Sequence, residues 1–257
     1  MSKNCNAQRA SSLNCPLCLS SQVQWQKLLV KGPQDYALCL SCDLIFMHSE
    51  QFLSSGAEKA RYEEHNNQDT EQYRNFFKPL MNSISNHRSL RGLKVLDFGS
   101  GPTPVFSRML QEAGAEVRSY DPFFHPDESV FSGIYDCIVM VEVIEHLHHP
   151  RQELLRLKSL LSPQGFFAIQ TKYHSGLNQE FANWGYRRDP THVAFFSLST
   201  MQFVANLLAA PVVTREDILQ PRNWDANEFW VFYNRSSIYE RGDRSNWVDR
   251  ELYREFA

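Results

Sequence analysis

Four of the six cysteines fall in two pairs, Cys15 and Cys18 in NCPLC and Cys39 and Cys42 in CLSC, with twenty residues between the pairs. Two C-x2-C knuckles at this separation surround one ion tetrahedrally with thiolates, which is a zinc signature. The competing readings are disulfides or redox dithiols. The first residues, MSKNCNAQRASSLNC, lack the apolar stretch of a secretory leader, so a cytoplasmic, reducing location is expected and structural disulfides are not. A redox CxxC would need a thioredoxin-like context, which is absent. All four positions are protein thiolates, so the site is closed and structural instead of catalytic. A segment this short cannot build its own core, and the metal replaces one. Cys5 sits in a polar tail. Cys137, inside the apolar run DCIVMV, reads as a small buried hydrophobe.

The remaining length of the 257-residue chain suits one large domain. The expected organisation is a cysteine-bearing module over 1–48, a helical segment over 49–90, an α/β domain over 91–235 and a tail over 236–257. The helical segment has aromatics at Tyr62, Tyr73, Phe76 and Phe77 and no Gly/Pro-rich linker, so it is expected to pack on the next domain as a lid over its active site. Beyond Gly92 strands and helices alternate. Strands are read at Leu93–Phe98, Glu116–Tyr120, Asp136–Val141, Phe166–Gln170, Val212–Ile218 and Glu228–Tyr233. Helices are read at Val105–Ala113, Pro150–Leu161 and Leu198–Ala209, and a turn at Pro163-Gln164-Gly165. This alternation predicts a doubly wound, Rossmann-like α/β sheet. No run reaches the ~20 apolar residues that span a bilayer, so no membrane partner is expected.

The segment LDFGSGPTP, Leu96–Pro104, runs from a strand through a glycine turn to a helix start. Gly99 and Gly101 allow a tight turn and close approach to a ligand, and the helix start offers unpaired N–H groups. Asp97 stands at the carboxyl end of the strand, where open α/β sheets bind their ligands. Asp121 ends the next strand, the position from which an acid reaches ribose hydroxyls. Gly99-Ser100-Gly101 is followed by Thr103-Pro104 with no third glycine, which departs from the dinucleotide fingerprint G-x-G-x-x-G.

The ordered motifs VLDFGSG, SYDP, YDCIVMVEVIEHL and LLSPQGFFAIQT resemble the class I S-adenosylmethionine-dependent methyltransferases. The resemblance covers roughly residues 90–235 and implies their seven-stranded sheet and their cofactor. It also implies that Asp97, Gly99, Ser100 and Gly101 face the methionine part of the cofactor, with Glu142 nearby, that Asp121 binds the ribose and that Phe123 neighbours the adenine. A narrower resemblance is to bacterial zinc-ribbon methyltransferases. It rests on the CPLC…CxxC ribbon, on Tyr62-Glu63-Glu64-His65-Asn66, on Glu142–His146 and on Trp184–Phe195, in that order.

Glu142-Val143-Ile144-Glu145-His146 would align residues 142, 145 and 146 on one face if a helical turn began at Glu142. Thr191-His192 supplies a second imidazole. A mixed carboxylate and imidazole set suits Mg2+, Mn2+, Fe2+ or Zn2+ and would orient an acceptor hydroxyl and lower its pKa. The pattern resembles the Glu, Glu, His, His sites of small-RNA 2′-O-methyltransferases and of ubiquinone-pathway O-methyltransferases. That likeness implies Glu142, Glu145, His146 and His192 as ligands. The alternative is a metal-free polar site in which Glu142 caps the turn and His146 acts as a base. His148 and His149 read as solvated helix-start residues.

The segment after Thr171 carries Tyr173, His174, Phe181, Trp184, Tyr186, Arg187, Arg188 and Asp189. Its aromatics offer flat binding surface, and its arginines suit an anionic substrate. His146, His192, Glu142 and, more remotely, His65 are the candidate catalytic groups. The reading is methylation of an oxygen or nitrogen on a small molecule. The alternatives are RNA methylation and a non-catalytic cofactor-binding scaffold. A net charge of −3, from 26 Lys and Arg against 29 Asp and Glu, disfavours a large RNA footprint. The acceptor and the oligomeric state are not encoded in any motif.

Overall fold

The computed structural model describes residues 14–28, 34–64, 67–215 and 229–232. The amino-terminal part contributes β1 (Val23–Leu28), β2 (Gln34–Cys39) and β3 (Ile45–Met47), followed by α1 (Ser55–Glu63) and α2 (Glu71–His87). Then come β4 (Lys94–Phe98), α3 (Val105–Glu112), β5 (Glu116–Tyr120), β6 (Tyr135–Val141), α4 (Pro150–Lys158) and β7 (Leu161–Gln170). The chain continues through α5 (Gln179–Asn183), β8 (Ala194–Phe195), α6 (Leu198–Leu208), β9 (Val212–Arg215) and β10 (Phe229–Phe232). Most strands and helices read from the sequence are present, with ends shifted by a residue or two. Residues 1–12, His65 and the polar tail lie outside the described residues.

Six strands form the main sheet in the order β10-β9-β7-β6-β4-β5. β5, β4, β6, β7 and β9 run parallel, and β10 pairs antiparallel with β9. The described residues thus hold six strands of the expected α/β sheet. β6 reads YDCIVMV and is buried along most of its length, as a central parallel strand covered on both faces must be. Helix starts are fixed locally. Pro150 opens α4 at its first turn, where its missing N–H costs nothing. Ser197 and Thr200 form a reciprocal capping box at α6.

One local expectation is corrected. Pro163-Gln164-Gly165 is not a turn before a strand but part of β7, which starts at Leu161. The pairing with β6 shifts register between Tyr135 and Cys137, and such an irregularity tolerates a proline that cannot donate to the ladder.

The second sheet has the order β1-β2-β3-β8. β8 belongs to the segment after Thr171, so the cysteine-bearing strands pair directly with the α/β domain at Ile45↔Phe195 and Phe46↔Ala194. Leu17, Leu44 and Phe46 share one apolar cluster with Ile138, Met140, Phe167 and Ile169 of the main sheet. The Arg151 guanidinium donates to the Leu17 carbonyl at 3.2 Å and His174 Nε2 to the Asp43 carbonyl at 2.9 Å. On the other face of the main sheet, α2 packs Phe77, Leu80 and Ile84 with Val95, Val139 and Phe166. Among the described residues no helix is long and apolar enough to cross a membrane.

Candidate active site

The four cysteine sulfurs gather at the base of the second sheet, all within 4.8 Å of one another. Cys15 Sγ lies 3.6 Å from Cys42 Sγ, and Cys18 Sγ lies 3.4 Å from Cys39 Sγ. A tetrahedral ion with ~2.3 Å bonds to sulfur separates its ligands by about 3.8 Å. The donor set therefore fits one zinc ion after small adjustments. Cys137 is fully buried in β6, as its apolar neighbours imply.

At the carboxyl end of β4 the chain turns sharply through Gly99 and Gly101, with φ of 79° and 66°. A Cβ on Gly99 would stand 2.5 Å from Val143 Cγ2, and one on Gly101 would have only Asn67 Nδ2, at 3.7 Å, near it. So Gly99 is required by close packing, and Gly101 leaves open space on its ligand side. Ser100 Oγ is buried with no hydrogen-bond partner among the described residues, which fits a turn that a polar ligand completes. Asp97 is buried and accepts from Ser107 Oγ at 2.6 Å. Burial pushes its carboxyl up to about 6, against the opposing pull of the Ser107 hydrogen bond.

Asp121 is already engaged. Its Oδ2 accepts from Gly101 N–H at 3.0 Å, and its Oδ1 from Phe123 and Phe124 N–H at 2.9 and 3.1 Å. The carboxylate therefore ties the glycine turn to the 121–125 turn. A carboxylate has about four acceptor positions, so three are used and roughly one remains. The Phe123 ring lies beside Tyr62, with centroids 5.6 Å apart.

Beyond β6 the backbone enters the left-handed region at Glu142 (φ 52°), and a short 3-10 turn covers Ile144–His146. The turn begins at Ile144 instead of Glu142, so Glu142 stands before it and not on its face. Glu145 and His192 are buried, and ligand atoms of Glu145, His146 and His192 lie within 4.8 Å of one another. His146 Nδ1 faces the Thr191 carbonyl at 3.0 Å, and His192 Nδ1 faces the Tyr186 carbonyl at 2.7 Å. A carbonyl only accepts, so both rings carry a proton on Nδ1. Burial lowers the His146 pKa and favours the neutral ring that a metal ligand needs. Glu145 Oε2 is buried and unpartnered among the described residues. These features fit a divalent cation.

Glu142 lies outside that trio; its Oε2 stands 3.0 Å from the Tyr186 hydroxyl, whose single proton is shared with Glu145 Oε1. Burial pushes both carboxyls up to about 7; the neighbouring charge of Glu145 adds to the rise at Glu142, and the Tyr186 hydrogen bond moderates both.

The helical segment closes over these groups. Tyr62 of α1 meets His146 edge-on with centroids 5.3 Å apart. Arg61 pairs with Asp189 at 2.7 Å. Tyr73 of α2 senses the charges of Asp97 and Glu142, although burial is the main reason its phenol rises to about 12. His148 is half-buried instead of fully solvated: it stacks on Phe52 with centroids 4.3 Å apart and meets the Glu58 carboxylate at 2.9 Å. His149 is exposed. Arg187, read from sequence as a contact for an anionic substrate, is 1% exposed and donates to the Ala182 carbonyl at 2.8 Å, with the Tyr36 hydroxyl of β2 at 3.5 Å. It joins the insert to the ribbon and cannot face a substrate. Arg188 is exposed and donates to the Asn183 carbonyl.

Sequence reading alone missed the roles of Tyr62, Val143 and Tyr186. Tyr62 opens the Tyr-Glu-Glu-His-Asn stretch, a signal that pointed to His65 instead. Val143 stands inside the Glu-Val-Ile-Glu-His segment, but nothing in that spelling places it against Gly99.

A family model described as "Methyltransferase domain" matches residues 62–205, more than half of the chain. No curated protein matches it. Among solved structures, the plantazolicin methyltransferase in complex with a pentazolic desmethyl analogue and SAH is 15% identical, with a TM-score of 0.41; the match covers 66% of this chain and 79% of that one. The magnesium protoporphyrin IX methyltransferase from Synechocystis PCC 6803 with bound SAH is 15% identical over 65% of this chain and 89% of its own, with a TM-score of 0.38. A possible histamine N-methyltransferase from Thermotoga maritima is 15% identical over 55% and 78%, with a TM-score of 0.33.

Proposed function

The chain belongs to the methyltransferase-domain family and is an S-adenosylmethionine-dependent methyltransferase; from that premise we propose that it methylates an oxygen or nitrogen of a small-molecule acceptor, with a divalent cation held beside the cofactor. The observation that carries this reading is the convergence of Glu145, His146 and His192, both rings oriented through Nδ1, beside the glycine turn. The enclosure of that corner by Tyr62 and by the Arg61–Asp189 pair and the net charge of −3 favour a small acceptor over an extended polyanion.

When bound, S-adenosylmethionine supplies an electrophilic methyl group on a sulfonium. The Asp97–Gly101 turn positions the amino acid part, the remaining acceptor position of Asp121 takes a ribose hydroxyl, and Phe123 flanks the base. Holding donor and acceptor in line is the main catalytic requirement of this chemistry. Glu145, His146 and His192 would hold the divalent ion (Mg2+, Mn2+, Fe2+ or Zn2+), which lowers the pKa of an acceptor hydroxyl. Glu142, which meets the same Tyr186 hydroxyl as Glu145, would stand ready as a further oxygen ligand of that ion. Tyr62 excludes water from the same corner. Cys15, Cys18, Cys39 and Cys42 hold a structural zinc remote from the chemistry.

The test is transfer of a labelled methyl group from S-adenosylmethionine into a fractionated cell extract, with and without Mn2+. The expected outcome is label in the small-molecule fraction, increased by Mn2+ and abolished by His192→Ala. Label confined to RNA overturns the acceptor class, and indifference to Mn2+ overturns the role of the ion.

A further inference from the structure

Among the described residues, Tyr186 is the one side chain whose hydroxyl reaches both carboxylates of the site. Its ring is held between Trp184 and His192, with centroids 5.0 and 4.1 Å away, and Lys172 Nζ stands 5.0 Å from its ring centre. Its hydroxyl shares one proton between Glu142 Oε2, at 3.0 Å, and Glu145 Oε1, with Thr171 Oγ1 at 3.2 Å. Its backbone carbonyl accepts from His192 Nδ1 at 2.7 Å.

We propose that the Tyr186 hydroxyl is an internal competitor of the divalent cation. It occupies the space between Glu142 and Glu145 that the cation would share, and it withdraws when the cation enters. This inference rests on the metal reading given above. The two carboxylates, Glu145 buried and Glu142 half-buried, feel the charge of Lys172 only at a distance, and in the described structure the only hydrogen-bond donor common to both is this phenol. A divalent ion is a far stronger partner for this carboxylate pair than one neutral O–H. Glu142 is also the one member of the expected four-ligand set outside the 4.8 Å trio of Glu145, His146 and His192, and it is the member whose carboxylate oxygen the phenol engages. Withdrawal of the hydroxyl therefore frees Glu142 to become the fourth ligand. The device partners one oxygen of each carboxylate in the metal-free chain, leaves Glu145 Oε2 for the ion, and sets the cation concentration at which the site fills.

The experiment titrates Mn2+ into the zinc-loaded full chain at pH 8 and reads unbound Mn2+ by electron paramagnetic resonance. A Tyr186→Phe chain keeps the ring and loses the hydroxyl. It is expected to bind Mn2+ at least tenfold more tightly than the original chain. Equal or weaker binding by Tyr186→Phe overturns this inference alone, because the phenol then supports the ion instead of competing with it. Absence of Mn2+ binding by both chains overturns the metal reading and this inference with it. A second readout does not depend on how well that variant folds. With 3-fluorotyrosine at position 186, the fluorine resonance is expected to shift saturably on addition of Mg2+, and not to shift in a His146→Ala background. A resonance indifferent to Mg2+ in a chain that binds Mn2+ contradicts the withdrawal.

Discussion

Replacing Gly99 by alanine perturbs the candidate cofactor turn at a position where two independent costs apply. The residue holds φ at 79°, which costs an L-amino acid about 1–2 kcal/mol. The added Cβ would stand 2.5 and 2.8 Å from the two methyl carbons of Val143, and overpacking of this kind costs about 1–3 kcal/mol. Gly99→Ala is therefore expected to destabilise the chain by about 2–5 kcal/mol. Val143→Ala removes the atoms in the way and by itself loses about 1–2 kcal/mol, at ~0.8 kcal/mol for each buried methyl group. The double variant keeps the backbone strain but not the clash. Its loss is expected to fall about 1–3 kcal/mol short of the sum of the single losses, a coupling that chemical denaturation in urea resolves. The same comparison has a binding readout: Gly99→Ala weakens S-adenosylhomocysteine at least tenfold, and Val143→Ala partly restores it. Additivity within ~0.5 kcal/mol would refute the claim that Val143 and Gly99 form one packed unit behind the turn.

Two further predictions concern the other parts of the site. Glu142 and Glu145 rise from 4.5 to about 7 in the folded chain, so between those values the folded state binds more protons than the unfolded one and metal-free stability falls as pH rises. A rise of this size is worth about 3 kcal/mol for an isolated group, so a loss of a few kcal/mol is expected between pH 5 and 8 in thermal or urea unfolding. Glu145→Gln should flatten that slope, and an unchanged slope would show that the pair is not perturbed by burial. Cys15→Ser should remove the zinc found by elemental analysis. It should also loosen β3 and hence β8, whose neighbour Val193 donates to the Glu145 carbonyl at 2.9 Å and accepts from Met47 N–H at 2.8 Å. The measurable result is weaker Mn2+ binding, and full zinc content with an unchanged unfolding midpoint would sink the ribbon assignment.

The α/β alternation, the cysteine knuckles and the glycine turn were legible because each is written in local spacing. Apolar runs such as DCIVMV mark a buried central strand, and C-x2-C pairs define a donor set within a few residues. What was not legible depends on contacts between distant positions. The pairing of Ile45 with Phe195 leaves no trace in either segment, since each is merely a short apolar run. Arg187 looked like a surface cation because charge in a polar loop ordinarily faces water, yet its guanidinium is satisfied by the Ala182 carbonyl. Tyr186 looked like one aromatic among several. Its significance comes from a hydroxyl that reaches two glutamates more than forty residues earlier. The expectation for Asp121 was incomplete for the same reason: backbone N–H groups of Gly101, Phe123 and Phe124 take most of its acceptor capacity.

The central claim is that the turn at Asp97–Gly101, with Asp121 behind it, holds S-adenosylmethionine. The most direct test is calorimetric titration of the purified chain with S-adenosylhomocysteine, alongside an Asp121→Ala chain shown to keep its unfolding midpoint within a few degrees. The account predicts one saturable site per chain for the former and at least tenfold weaker binding for the latter. Saturable binding that Asp121→Ala leaves unchanged, or no binding by the original chain, would contradict it.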